Sequence, residues 1–239
     1  MYPDKECFNQ IKNQFFLKVK RKGKYLIFFL SNDLVLIGHL RMEGKINLNP
    51  IYMCNTIDKH EYWRLWLDND IVMRYYDTRK FGRFLVYNYN EYLIKSPLVK
   101  LAADPFEISL NDFYHKLQKT TRVIKQVLLD QSIISGIGNI YASEILFLAC
   151  IYPNTPSFRL SLEKVRSILK HAQNILKASI EDGATTTNTF EALGIKGNFQ
   201  KKLLVYRKDK DNCCRCNKLI QKIKINGRSS YFCSFCQLK

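Results

Sequence analysis

Two cysteine pairs, Cys213 with Cys216 and Cys233 with Cys236, stand near the end of the chain with sixteen residues between them. Four thiolates at this spacing suit a tetrahedral zinc site at the base of a hairpin, a zinc ribbon. They close the coordination sphere, so the metal would hold structure and activate no water; Cys214 is left over as a spare thiol. Two further stretches mix basic and apolar side chains and end on a glycine: His39-Leu40-Arg41-Met42-Glu43-Gly44 and Asp77-Thr78-Arg79-Lys80-Phe81-Gly82. A loop with one basic and one large apolar side chain can hold a phosphate while wedging between base steps. Taken singly, Met42 and Phe81 read as core residues. A third stretch, Ser135-Gly136-Ile137-Gly138-Asn139, opens a helix and offers backbone N–H groups and the Asn139 amide to a phosphate. Glycines also occur in helix-turn-helix joints for steric reasons alone.

These residues need a scaffold. Lys18 to Lys24 is a basic run leading into Tyr25-Leu26-Ile27-Phe28-Phe29-Leu30, a strand of β-formers, with Ser31-Asn32-Asp33 as the turn to a hairpin partner over residues 34–40. Strand-like runs follow at 62–67, 71–76 and 83–87, with Asp68-Asn69-Asp70 as a turn. Short antiparallel strands at this spacing predict a sandwich over residues 1–95. After Pro97 and Pro105 the period changes to helical: Ser109 with Asp112 starts one helix, and Leu162, Val165, Ile168, Leu169, Ala172, Ile175 and Leu176 trace one face of another. The fold class is therefore α+β and multidomain, with a helical module over 105–193, a glycine-containing linker over 194–207 and the ribbon over 208–239.

The 239 residues carry 38 Lys and Arg against 21 Asp and Glu, a formal charge of +17, which points to a polyanionic partner. Abundant Lys, Asn, Ile and Tyr also reflect AT-rich codons, which accounts for part of that charge. Nucleic acid is favoured over a membrane, since no apolar run reaches a transmembrane length and no leader opens the chain. The eight cysteines include four in the metal pattern and suggest no disulfide framework, as expected in a reducing cytoplasm. A generic zinc-ribbon nucleic-acid binder would account for the cysteines and the charge, but not for the loops of the first half.

In family order, the stretches Arg21 to Leu26, His39 to Gly44, Asp77 to Gly82, Gly136 to Glu144 and the ribbon with Arg228 resemble the formamidopyrimidine-DNA glycosylase and endonuclease VIII family, the first name being the closer match. The resemblance implies a helix-two-turns-helix module between sandwich and ribbon. It also implies base-excision repair by a bifunctional glycosylase and abasic-site lyase, acting as a monomer on duplex DNA with 8-oxoguanine, formamidopyrimidine or abasic lesions. By motif position Lys24 matches the catalytic lysine, and Met42, Arg79 and Phe81 match the residues that fill the gap left by a flipped nucleotide. His60, Asn139 and Arg228 match phosphate contacts, with Arg228 also acting in the later elimination. His39 joins the DNA-binding set, Lys125 matches a lysine facing the lesion side, and the loop 194–199 matches one that closes over the purine.

The family's chemistry begins with an N-terminal Pro followed by Glu, whereas this chain reads Met1-Tyr2-Pro3-Asp4. Pro3 lies inside the chain and has no free lone pair on nitrogen, so it cannot be the nucleophile. The resemblance then implies a nucleophile helix missing from these residues, and an incomplete sandwich. Either the reading frame extends upstream or the gene has decayed. In the alternative reading the protein is a remnant that binds damaged or abasic DNA without excising the base. The Lys24 or Met1 amine could still form a Schiff base at an existing abasic site.

Overall fold

A computed structural model of the protein describes residues 8–182 and 199–237. Among these, residues up to Val99 form one compact unit and those from Lys100 onward form a second.

The first unit is β-rich because its sequence supplies runs of β-branched and aromatic residues between turn formers. One antiparallel sheet has the order β1-β2-β3-β7, from β1 (Phe16–Lys22), β2 (Tyr25–Leu30), β3 (Leu34–His39) and β7 (Arg83–Asn88). The second has the order β4-β6-β5, from β4 (Lys45–Pro50), β5 (Glu61–Trp66) and β6 (Ile71–Tyr76). Asn32 and Asp33 turn β2 into β3 with φ of 54° and 53°, left-handed values that Asn and Asp tolerate. The unit's core is Phe28, Leu30, Leu36, Tyr75 and Phe84, drawn from both sheets, with Ile11 from the segment before β1. β1 was hidden in the basic run because charge masks its alternation; it is an edge strand, where lysines deter pairing with other chains. β4 also lies at an edge and ends on Pro50, which fits a position where no ladder N–H is needed.

Helix α1 (Tyr92–Lys95) is a single turn near the end of this unit. The second unit contains α2 (Leu110–Gln118), α3 (Ile124–Leu129), α4 (Asn139–Leu148) and α5 (Leu162–Glu181). Ser109 caps α2 by accepting from Asp112 N at 3.1 Å, and Ser161 caps α5 by accepting from Lys164 N at 3.3 Å; each such cap is worth about 1 kcal/mol. The apolar stripes of these helices converge on one core that includes Phe113, Leu128, Ile137, Leu146 and Ile168. The strands β8 (Gln221–Ile225) and β9 (Arg228–Phe232) pair as a hairpin whose tip, Asn226-Gly227, has φ of 46° and 72°. Phe147 of α4 packs with Val205, Ile220, Tyr231 and Cys233 and so anchors the hairpin to the helices. No described helix is long and apolar enough to cross a membrane.

Candidate functional site

In the first unit the loop after β6 is organised around Asp77, which is buried. Its Oδ2 accepts from Phe81 N at 2.9 Å and Gly82 N at 2.8 Å, and its Oδ1 accepts from Arg79 N at 3.1 Å. A carboxylate taking several N–H bonds holds a turn rigidly, since charge-assisted bonds are about twice as strong as neutral ones. Lys80 completes the turn in the left-handed region, with φ of 57°. The loop carries Arg79 and Phe81 outward. Phe81 is 50% exposed and Met42 59% exposed, so neither is a core residue. The Arg79 guanidinium lies 4.8 Å from the Phe81 ring centre, and its Nη1 is 3.0 Å from Met42 Sδ. These three side chains form a file of alternating apolar and cationic groups.

Lys24 sits at the two-residue tip between β1 and β2, beside Gly23 with φ of 56°. His39 packs edge-on against Tyr25 at 4.6 Å, and its Nδ1 accepts from Arg41 N at 3.0 Å. Burial, then the charges of Arg41 and Lys24, lowers its pKa to about 4. His39 is therefore neutral at pH 7, and with Nδ1 accepting it presents Nε2–H as a donor.

His60 takes a left-handed φ of 67°, and its carbonyl accepts from Asp77 N at 3.0 Å. Behind it lies an ion cluster that nothing in the sequence announces. Arg74 binds Asp58 at 2.9 Å and donates to Glu61 Oε1 at 3.0 Å, while Arg64 also binds Glu61 and donates to Cys54 O at 2.8 Å. Burial pushes the Glu61 carboxyl up, but the hydrogen bonds from Arg74 and Arg64 outweigh it and hold the pKa down at about 2. The cluster fixes the segment leading into His60, and His60 in turn holds the Asp77 loop.

In the second unit Asn139 opens α4, and its Nδ2 donates to Ser229 O of β9 at 3.0 Å, next to the exposed Arg228. Lys125 has its whole side chain inside this unit, where Nζ donates to Asn139 O at 3.0 Å and Ser143 Oγ at 2.6 Å. Burial lowers its pKa to about 7, against an opposing pull from Glu144. Between pH 7 and the ordinary lysine value the unfolded chain holds a proton that the folded chain gives up, so stability rises with pH across that window. Lys125→Met is expected to flatten this rise, measured by urea unfolding of this unit at pH 7 and pH 9.5. An equal slope in wild type and variant would refute it.

The Sγ atoms of Cys213, Cys216, Cys233 and Cys236 all lie within 4.8 Å of one another. The pairs Cys213–Cys236 and Cys216–Cys233 stand at 3.8 and 3.4 Å, close to the edge of about 3.8 Å for a tetrahedron with metal–sulfur bonds of about 2.3 Å. Arg215 N and Cys236 N point at Cys213 Sγ and Cys233 Sγ at 3.5 and 3.4 Å, as suits thiolates. The donor set fits a metal ion. Cys214 is exposed and outside the cluster.

Residues 2–84 match the family model of the formamidopyrimidine-DNA glycosylase N-terminal domain, and residues 101–191 match that of its H2TH domain. The chain is 44% identical over 222 residues to the formamidopyrimidine-DNA glycosylase of Mycoplasmopsis pulmonis, covering 92% of this chain and 80% of that protein. The chain belongs to the formamidopyrimidine-DNA glycosylase family. Similar identity, 44% over 228 residues, relates it to the Ureaplasma parvum glycosylase, covering 94% of this chain and 82% of that protein. Among solved structures, the Lactococcus lactis glycosylase bound to abasic-site DNA superimposes with a TM-score of 0.89 at 35% identity, over 97% of this chain and 87% of that one. The same enzyme with Fapy-dG DNA gives 0.90 at 33% identity, over 98% of this chain and 86% of that one.

Within the glycosylase-family frame, the structure brings the sequence-selected residues together in local sets. Met42, Arg79 and Phe81 form one file, Lys24 neighbours His39, and Lys125, Asn139 and Arg228 are linked through Ser229. Of the loop 194–199, residues 194–198 lie outside the described residues, as do Met1 and Pro3, while Phe199 is buried. The sequence reading missed Glu61, Arg64 and Arg74, whose partners lie on a loop and a neighbouring strand, and Glu144, whose three partners are backbone N–H groups about 60 residues away. Asp77 was visible as a loop residue but not as the centre of the loop.

Proposed function

We propose that the protein acts in base-excision DNA repair as a bifunctional glycosylase and abasic-site lyase that removes oxidised purines, 8-oxoguanine and formamidopyrimidines, and nicks the strand by β,δ-elimination. The observation that carries this reading is the exposed file Met42-Arg79-Phe81, held at its base by Asp77, in a chain of this family. Its alternation of apolar and cationic groups can fill the space of an extruded nucleotide while neutralising a phosphate.

In this reading Lys24 is the catalytic amine of the sandwich side, and Arg228 on the ribbon tip binds phosphate and serves the later elimination. His39 offers a neutral donor and His60 a backbone-fixed one. Asn139 uses one amide N–H on Ser229 and keeps the second for phosphate, beside the N–H groups opening α4. Lys125 supports Asn139 from behind. Cys213, Cys216, Cys233 and Cys236 would hold one zinc ion, which supplies a fold for the ribbon and no chemistry. The functional parts are a sandwich domain over 1–95, a helix-two-turns-helix module over 105–193, a lesion-loop linker over 194–207 and the ribbon over 208–239. The protein works as a cytoplasmic monomer on duplex DNA.

The test uses a duplex containing 8-oxoguanine, a matching abasic duplex and sodium borohydride. The expected results are strand cleavage at the lesion and a trapped covalent adduct on abasic DNA, the adduct being lost or strongly reduced in Lys24→Ala. Tight binding to the abasic duplex with no cleavage and no adduct would instead make the protein a damage-binding remnant and sink the enzymatic reading.

A further inference from the structure

We propose that the Tyr75 hydroxyl and the Asp77 carboxylate form one hub that sets the spacing between the Met42 loop and the Arg79–Phe81 loop, so that the two loops enter a lesion gap as a single wedge. The proposal rests on the repair reading above. Tyr75 is a positioning residue in it and touches no DNA.

Tyr75 lies on β6 and is fully buried. Its ring is stacked on Trp63 at 5.4 Å and meets Phe84 edge-on at 4.7 Å, so it cannot swing without opening the core. The hydroxyl donates to Asp77 Oδ2 at 3.0 Å, the same oxygen that takes Phe81 N and Gly82 N. Both loops close on this hydroxyl. A Cβ added at Gly82 would stand 1.7 Å from Tyr75 Oη, and one added at Gly44 would stand 2.6 Å from it and 2.4 Å from Leu40 O. Neither glycine takes a left-handed φ, so the requirement is for closeness rather than for backbone freedom. The Tyr75 hydroxyl thus excludes a side chain at both loop-ending glycines, alone at Gly82 and together with the Leu40 carbonyl at Gly44. The loops also touch beyond the hub, through Arg79 Nη1 and Met42 Sδ at 3.0 Å and through the Thr78 hydroxyl and the Glu43 carboxylate. Contacts at base and tip leave little room for one loop to shift alone, and residues coupled in this way give non-additive losses when changed together.

The experiment uses the full chain and a duplex carrying a tetrahydrofuran abasic analogue opposite 2-aminopurine, with an undamaged duplex as control. Anisotropy gives the ratio of the two affinities, and 2-aminopurine fluorescence reports wedge insertion beside the orphan base. Tyr75→Phe keeps the ring and removes the hydroxyl. It is expected to lower the lesion preference roughly tenfold or more, the low end for one hydrogen bond to a charged group, and to reduce the fluorescence change. Affinity for the undamaged duplex should stay close to wild type, while the thermal midpoint falls by about a few degrees as one buried hydrogen bond is lost. Asp77→Asn should shift the ratio the same way, and it decides the matter if Tyr75→Phe does not fold. Combining Tyr75→Phe with Met42→Ala should cost little more than the larger single loss. The hub is overturned if Tyr75→Phe keeps the wild-type preference, if the Tyr75 and Met42 losses multiply as independent factors, or if the affinities for both duplexes fall by the same factor. A wild-type chain with no lesion preference would instead overturn the repair reading, and the hub with it.

Discussion

Cys233→Ala is expected to unfold the ribbon hairpin and abolish binding to an abasic duplex, while the first unit keeps its fold. The hairpin consists of two five-residue strands, and an isolated two-stranded hairpin is marginal in water. Its own core is small, resting on Val205, Ile220, Tyr231 and Phe147 of α4. Each fully buried apolar side chain of this kind is worth about 1.5–3 kcal/mol. Structural zinc in finger peptides contributes an apparent 10–16 kcal/mol or so, at least as much as the roughly 6–12 kcal/mol of these four side chains together. Cys233 is fully buried and its Sγ is 3.4 Å from Cys216 Sγ, so the substitution removes one of the four donors from the centre of the ribbon. Arg228 and Ser229 sit on the returning strand, so losing the hairpin removes Arg228 and the Ser229 carbonyl that orients Asn139. The core of the first unit contains no ribbon residue. Metal content by elemental analysis, gel shift on abasic DNA and circular dichroism of the aromatic region check this together. Wild-type affinity in a variant that no longer holds metal would refute it.

Glu144→Ala is expected to destabilise the helical and ribbon unit by about 3 kcal/mol or more, three backbone donors losing their acceptor at once. Glu144 lies on α4 and is buried, with Oε2 accepting from Leu204 N at 2.7 Å and Oε1 accepting from Val205 N at 3.0 Å and Tyr206 N at 2.8 Å. Burial raises its pKa, and the three N–H bonds recover only part of that cost. Truncation nevertheless hurts, because one buried and two part-buried backbone donors lose their acceptor, at about 1–3 kcal/mol for each group left fully unsatisfied. These donors lie on the segment that enters the ribbon, so the damage is expected to spread to the hairpin. Glu144→Gln keeps one carbonyl oxygen and turns an NH2 toward the remaining donors, so its loss should be intermediate. Urea unfolding midpoints, with unchanged slopes, give the comparison. A Glu144→Ala midpoint within experimental scatter of wild type would sink the account.

Much of the scaffold was legible from local signals. The run Tyr25 to Leu30 is a strand wherever it is placed, Ser109 and Ser161 are caps by residue type, and the 3.6-residue stripe of α5 demands a buried face. The cysteine spacing implied a cluster because the pairs are short-range and the hairpin between them is a simple device. The first strand was not legible, since an edge position tolerates lysines that conceal the alternation. Met42 and Phe81 were ambiguous for a different reason: an apolar residue beside a glycine looks the same whether its side chain points into a core or out to a ligand.

By itself the sequence determined which chemical groups this protein carries and the short-range order in which they appear: four thiolates in two close pairs, a lysine at the mouth of a strand, and cationic and apolar side chains mixed in a loop. Only the tertiary structure decided where those groups point and what holds them. It turned Lys125 inward onto the Asn139 carbonyl, tied Asn139 to a strand 90 residues away, and set one tyrosine hydroxyl at the base of two loops. The reason is physical. Propensity, capping and metal spacing act over a few residues and are written in residue type, whereas burial and its hydrogen-bond partners depend on segments distant in the chain, which residue type at one position does not specify.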